Sequence, residues 1–315
     1  MIRVTADLFS GRPNPSWIIN DISGDEILRK ITADQGIIST PKVIGYEGLG
    51  FRGIKIELMN DDERFGQLPE AFTIANGIAE DQKTSIQLAR EIIDQMLKYE
   101  KNSMDVHNIT PINRDIQKII FESIEGYERN IDKIRKHIKI QEKIAFRNSL
   151  RVTVKDDKCT DCQYEQSKFN PGFWNNDSFV KGHNNCYNYG RNWKTNTYAQ
   201  PGRFSGMTAA SMSCVDVKIA AMNDGLVERC DCLPQSEYPR RLVALVIAPG
   251  QDYHWYRRQK NGFWGHKPGG TDARNYDNSG VLITNPETCD RGVGTSLNYT
   301  NFCGYFYAGK SVMIS

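Results

Sequence analysis

The sequence predicts an α+β protein with two domains joined by helices, and three observations carry that reading. Thr84–Tyr99 holds Ile86, Ala89, Ile92, Ile93, Met96 and Leu97 at the spacing of a helical stripe. After its first residue, Arg241–Ala248 is a continuous apolar run, as a strand buried on both faces requires. Near residue 150, helix formers give way to Asn, Tyr, Trp, Gly and Cys. We therefore expect a small α+β accessory or binding domain over 1–105, a helical connector over 106–150, and a C-terminal domain over 151–315. In the last, an antiparallel sheet should pack on helices.

From the start, Ile2–Phe9 alternates loosely and predicts a strand. Ser10–Trp17 carries Pro13 and Pro15, which fix φ and remove donors, so it reads as a turn. Asp21–Thr32 follows as a helix with a polar start. Gly48, Gly50 and Gly53 match G-x-G-x-x-G, but they precede the strand-like run Ile54–Met59. A dinucleotide fingerprint follows a strand and opens a helix, so these glycines predict a tight turn instead. The Thr84–Tyr99 helix closes the domain.

In the connector, Ile112–Ile124 and Tyr127–Ile144 have helical periodicity, with Ile131, Ile134, Ile138 and Ala145 near one face. The basic run Lys133, Arg135, Lys136, His137, Lys139 and Lys143 then forms a solvated face. Beyond residue 150 come long aromatic and polar loops. A helix-like run from Met207 to Asn223 ends at Asp224-Gly225. Strands are expected at Arg241–Ala248, Tyr253–Gln259 and Phe263–Lys267.

Charged residues make up 25% of the 315 residues and hydrophobic ones 39%, which is a globular composition. A net charge of +2 argues against a nucleic-acid partner, because no basic excess exists to neutralise phosphates. The first residues have no apolar leader, and no stretch approaches the roughly 18 apolar residues of a membrane span. A cytoplasmic protein without membrane association is the expectation. All eight cysteines lie after residue 158. Without a leader, thiols or metal ligation are expected over a disulfide framework. Cys159, Cys162, Cys230 and Cys232, a C-x-x-C and a C-x-C, could hold one structural zinc as four thiolates. Disulfides or unligated thiols are the alternatives.

The candidate site rests on Cys186, which opens an aromatic helix-like run after a polar loop, and on His254, which heads a strand. A thiolate with an imidazole base is a nucleophilic pair. His266 follows twelve residues later. A three-residue loop at Lys260–Gly262 would pair Tyr256 with His266 and point both histidines to one face. A two-residue turn at Asn261-Gly262 would pair Arg257 with His266 and point them apart. Asn278 and Asp277 are further candidates to orient the imidazole. The amides of Asn184, Asn185 and Gln200 are candidates for an oxyanion site with the Cys186 N–H, or for ordinary loop bonding.

This order of Cys and His resembles the papain-like cysteine hydrolases, most closely NlpC/P60-type amidases, over about 80 residues. The family's common Asp-Cys-Ser-Gly pattern is absent around Cys186. The resemblance implies a thiol hydrolase, an amidase or peptidase, acting on a peptide or peptide-like substrate without a catalytic cofactor. Two alternatives stay open. His183, His254 and His266 could ligate a catalytic zinc, or the domain could be a non-catalytic peptide or glycan binder with Cys186 buried. Ser10–Trp17 and the Asn184–Tyr189 and Gln200–Gly202 segments also resemble uncharacterised bacterial proteins, which carries no activity.

Overall fold

The computed structural model describes residues 1–40, 45–59, 63–102, 110–141, 152–292 and 297–315. It is a mixed α+β protein whose contacts fall into two compact units. The first takes the described residues of 1–9, 13–143 and 293–297; the second takes those of 10–12, 144–292 and 298–315. Lys143 and Ala145, and the side chains of His137 and Lys139, lie outside what is described.

The first unit is built on an antiparallel sheet of β1 (Ile2–Asp7), β2 (Ser16–Ile19), β3 (Gly53–Leu58) and β4 (Ala71–Ile74), ordered β2-β1-β3-β4. In β1 the alternation is real: Ile2, Val4 and Ala6 are buried, and their neighbours are only partly so. The Ser10–Trp17 turn is shorter than expected, because β2 already begins at Ser16 and pairs with Thr5. The glycine turn has a physical cause. Buried Arg52 ion-pairs with Asp7 and donates to the carbonyls of Gly48 and Gly50. At Gly53, φ is +123° and a Cβ would lie 2.7 Å from the Ile74 carbonyl oxygen, so only glycine fits.

Helices α1 (Ile22–Ala33), α2 (Gln82–Gln95), α3 (Arg114–Arg129) and α4 (Ile131–Gln141) complete this unit. Asp21, Asp81 and Asn113 cap the first three by accepting backbone N–H bonds. Ile86, Ala89, Ile92 and Ile93 of α2 are buried, as are Ile116, Ile120, Ile124 and Tyr127 of α3, and the two helices pack together.

The second unit centres on a five-stranded antiparallel sheet ordered β10-β9-β8-β11-β7. Its strands are β7 (Val227–Glu228), β8 (Arg241–Ala248), β9 (Asp252–Arg258), β10 (Trp264–His266) and β11 (Asn301–Ala308). A separate hairpin joins β5 (Val152–Lys155) to β6 (Gln163–Gln166). Every residue of β8 is buried, as its apolar run requires. Short helices α5 (Gly172–Asn175), α6 (Ser178–Gly182) and α7 (Cys186–Arg191), and the longer α8 (Cys214–Asn223), belong to this unit. Among the described residues no helix is long and apolar enough to cross a membrane.

Register assigns the two faces of this sheet. Val243 pairs with Arg257, Leu245 with Trp255 and Ile247 with Tyr253, so these six share one face. Helix α7 packs there: a Cβ on Gly190 would lie 3.6 Å from Trp255 and 3.8 Å from Val243. His254 and Tyr256 point to the opposite face, since successive strand residues alternate.

Candidate functional site

Helix α7 starts where the sequence places it. Asn185 is its N-cap and forms a capping box with Asn188. Cys186 is therefore the first helical residue, but its thiol is fully buried and lies 3.9 Å from the Tyr253 carbonyl oxygen. It packs with Val243, Leu245 and Trp255 in one apolar cluster. Burial pushes the thiol well above its ordinary pKa, and the nearby negative charge of Asp252 pushes it the same way. Cys186 is a protonated core residue rather than a poised thiolate.

The β9–β10 hairpin takes the first of the two registers weighed above. Tyr256 pairs with His266, the connecting turn is Lys260–Gly262, and Gly262 has φ +84°. Both histidines thus share a face, and His254 Nε2 lies 2.8 Å from His266 Nδ1. His266 Nε2 lies 3.0 Å from the Tyr276 carbonyl oxygen. A carbonyl only accepts, so Nε2 of His266 carries the proton. His266 Nδ1 faces His254 Nε2, and His254 Nδ1 lies 3.0 Å from Ser10 Oγ, which also lies 3.1 Å from Asp252 Oδ2.

The network ends on Asp252. Its carboxylate accepts from the backbone N–H groups of Ser10, Gly11 and Arg12 and from the Tyr299 hydroxyl. Ser10, Asp252, His254 and Tyr299 all have 0% exposure. These are the residue types of a hydrolytic triad with the wrong connectivity: the aspartate meets the serine, not the imidazole. The arrangement anchors the Ser10–Arg12 segment. The sequence reading missed Ser10, Asp252 and Tyr299, although the odd Ser-Gly-Arg-Pro turn was the signal for them.

Cys186 and His254 are not brought together. The helix of Cys186 lies on the Trp255 face of β9 and the ring of His254 on the other, so the strand stands between them. The other predicted residues have structural partners. Asn184 donates to the Val180 carbonyl and to Asn196 Oδ1. Asn185 and Gln200 both donate to the carbonyls of Gly11 and Ala199. Asn278 is buried in the loop following β10, its N–H donating to the Asp290 carbonyl. Asp277 caps a turn through the N–H groups of Ser279 and Val281. The acceptor for the His266 ring is a backbone carbonyl, which no side-chain motif announces.

The cysteines depart from the four-thiolate expectation. Cys159 is joined to Cys230 and Cys162 to Cys232, and Cys214 is joined to Cys303. A sulfur in a disulfide has no thiolate to give a metal. The C-x-x-C and C-x-C form two parallel staples from the β5–β6 hairpin to the segment after β7. His183 has its Nδ1 2.8 Å from the Phe179 carbonyl oxygen and its ring stacked on Phe179. Among the described residues no group of three or more His, Cys, Asp or Glu is arranged to hold a metal.

The α7 face of the sheet also carries a pocket of about 450 Å³. Arg241, Arg257, Lys168, Asn170, and Phe173 and Trp174 of α5 are among the residues that line it. Sequence reasoning missed it. The available signal was Arg241 at the start of the apolar strand β8 and Arg257 near the end of its neighbour β9.

No family model matches the chain, and no solved structure matches it. It is similar to the Insoluble matrix shell protein 1 of Ruditapes philippinarum, at 41% identity over 149 residues. That alignment covers 47% of this chain and 95% of the relative. A shell matrix protein as relative overturns the thiol-hydrolase expectation, and with it the cysteine-protease and amidase readings. The physical reason accords with it: the nucleophile is buried and protonated, and its base lies across the sheet.

Proposed function

We propose a structural role in an extracellular matrix, from the premise that this chain belongs to the family of the Insoluble matrix shell protein 1. The observation that carries the reading is that 95% of the relative's length aligns with this chain. Three disulfides support export, because such bonds form and persist in oxidising compartments and not in the cytoplasm. An exported protein replaces the cytoplasmic expectation.

Surface chemistry supports a condensed state. Helix α8 is apolar on both sides: Val217, Ala220 and Ala221 face the core, while Val215, Ile219 and Met222 are exposed at successive turns. Phe204 and Met207 are exposed as well. An exposed apolar stripe favours association over dispersal.

The test is fractionation of the source tissue or culture. The chain should be found outside cells, in the residue left after extraction with salt and mild detergent. Recovery as an intracellular protein in the first aqueous extract would contradict the proposal.

A further inference from the structure

Four of the six bridged cysteines meet at one place in the second unit. Cys159 and Cys162 lie in the turn between β5 and β6, and Cys230 and Cys232 follow β7. Both sulfurs of the Cys162–Cys232 bridge lie against the first bridge. Cys162 Sγ is 3.7 Å and Cys232 Sγ 3.8 Å from the Cys230 carbonyl oxygen. Two bridges between the same short segments constrain the unfolded chain little more than one does. The hairpin also has ties of another kind. Arg229 ion-pairs with Asp156 and Asp157, Tyr307 donates to Asp156, and Glu165 accepts from the guanidinium and the N–H of Arg240. As a staple, the second bridge is therefore largely redundant.

Three features fit it for exchange instead. Exposure is uneven: Cys230 and Cys232 are exposed, and Cys159 and Cys162 are buried. A thiolate from solvent meets the exposed member of each bridge and expels the buried one. Cys230 has φ +85°, a left-handed conformation that strains any residue with a Cβ, and an open bridge lets it relax. The third feature is an alternative pairing. The Cys162 N–H donates to the Cys159 carbonyl at 2.7 Å, which closes a β-turn. Such a turn holds its end Cα atoms less than about 7 Å apart, and a disulfide takes about 4.4–6.8 Å.

We propose that this paired centre converts bridges within one chain into bridges between copies of the chain. A small external thiolate attacks Cys230 Sγ, forms a mixed disulfide there and frees the Cys159 thiolate. Cys159 attacks Cys162 Sγ, so that Cys159–Cys162 forms and Cys232 leaves as a thiolate. Cys232 attacks Cys230 of a second copy and frees the Cys159 thiolate of that copy, which repeats the relay. Each relayed copy keeps one bridge inside and offers two sulfurs, Cys230 and Cys232, to its neighbours. Every step breaks one disulfide and makes one. The starting thiol stays on the first Cys230, and a thiolate remains at the growing end, so no oxidant is consumed. The proposal deepens the condensed-state reading by naming a second copy as the partner. It is measured on the purified chain, so it and the location of the protein in tissue fail separately.

The experiment mixes isotope-labelled and unlabelled full chains with their disulfides intact. A substoichiometric amount of cysteamine is added at mildly alkaline pH, where a small thiol is partly thiolate, and the reaction is quenched in acid. Non-reducing electrophoresis should show a ladder of oligomers that collapses on reduction. Peptide maps without reduction should find Cys159–Cys162 within chains and Cys230–Cys232 between labelled and unlabelled ones. Cys162→Ser with Cys232→Ser keeps the first bridge but removes the relay, and should lower the oligomer yield at least ten-fold. Cys214→Ser with Cys303→Ser should leave the yield unchanged. If either variant folds poorly, the peptide map of the parent chain decides. An unchanged monomer would overturn the proposal. So would a monomer with Cys230 bridged to its own Cys232, or oligomers joined through Cys186, Cys214, Cys289 or Cys303.

Discussion

The two units are held together by different means. The first has no cysteine and rests on periodic apolar elements: the alternating β1, and the stripes of α2 and α3. The second holds all eight cysteines and four of the five tryptophans, and much of it is irregular loop. Three disulfides and a buried polar network fix those loops. The difference teaches that a chain poor in regular elements can still order a domain when cross-links lower the entropy of its unfolded state. Such a domain then depends on the redox state of its surroundings.

Reduction should break the comparison most strongly. The bridges span 71, 70 and 89 residues of chain. Because Cys162–Cys232 closes only a small ring once Cys159–Cys230 exists, the three do not add in full. Their joint loss should still cost the second unit about 5 kcal/mol or more. Peptide-resolved hydrogen exchange in reductant should show lost protection in α8, β11 and the β5–β6 hairpin, with β1, β3 and α2 unchanged. Equal loss in both units would remove the contrast.

Asp252→Ala should come next. It leaves three backbone N–H groups and the Tyr299 hydroxyl without their acceptor in a fully buried site. With disulfides intact, the cost should be about 3 kcal/mol in denaturant melts of the second unit. A loss below about 1 kcal/mol would mean that the network is incidental.

In the first unit, Ile120→Ala removes a fully buried side chain of α3. It should cost about 2–4 kcal/mol, and by the same amount with or without reductant. A redox-dependent cost would show that the two regions are not held as separately as described.

The smallest effect concerns acid. Burial raises the carboxyl of Asp156, but hydrogen bonds from Arg229, Tyr307 and the Lys158 N–H outweigh it, and the pKa lies below the ordinary value. Stability from this group is complete above the unfolded carboxyl pKa, about 3.9, and is lost as pH falls through the folded value. Asp156→Asn should therefore lose less stability than the parent between about pH 4 and pH 2. Parallel acid titrations of the two proteins would refute it.

Sequence legibility follows the same division. The apolar run of β8, the helix at Cys186, and the α2 and α3 stripes all announce themselves through local period or capping residues. The strands β4, β5, β6 and β11 do not. β11 reads Asn301–Ala308 with polar and glycine positions and a bulge between Phe302 and Gly304, which breaks the alternation. The His254–His266 pairing was readable as one of two hairpin registers. That Cys186 lies across the strand from His254 was not, because it depends on which face α7 covers. Disulfide pairing was hidden because C-x-x-C and C-x-C spacings suit a metal as well as two parallel bridges.

The account turns on an oxidised second unit, and thiol counting tests it most directly. The chain should be isolated from its native source without reductant and treated with iodoacetamide before and after denaturation, then weighed by mass spectrometry. Native protein should react little. Cys186 is buried with its thiol raised, and burial pushes the Cys289 thiol up to about 11. Denatured protein should take up two groups, on Cys186 and Cys289, the two cysteines outside the bridges. Uptake of eight groups would show every cysteine reduced, and would contradict both the disulfide-stapled second unit and the export proposed for it.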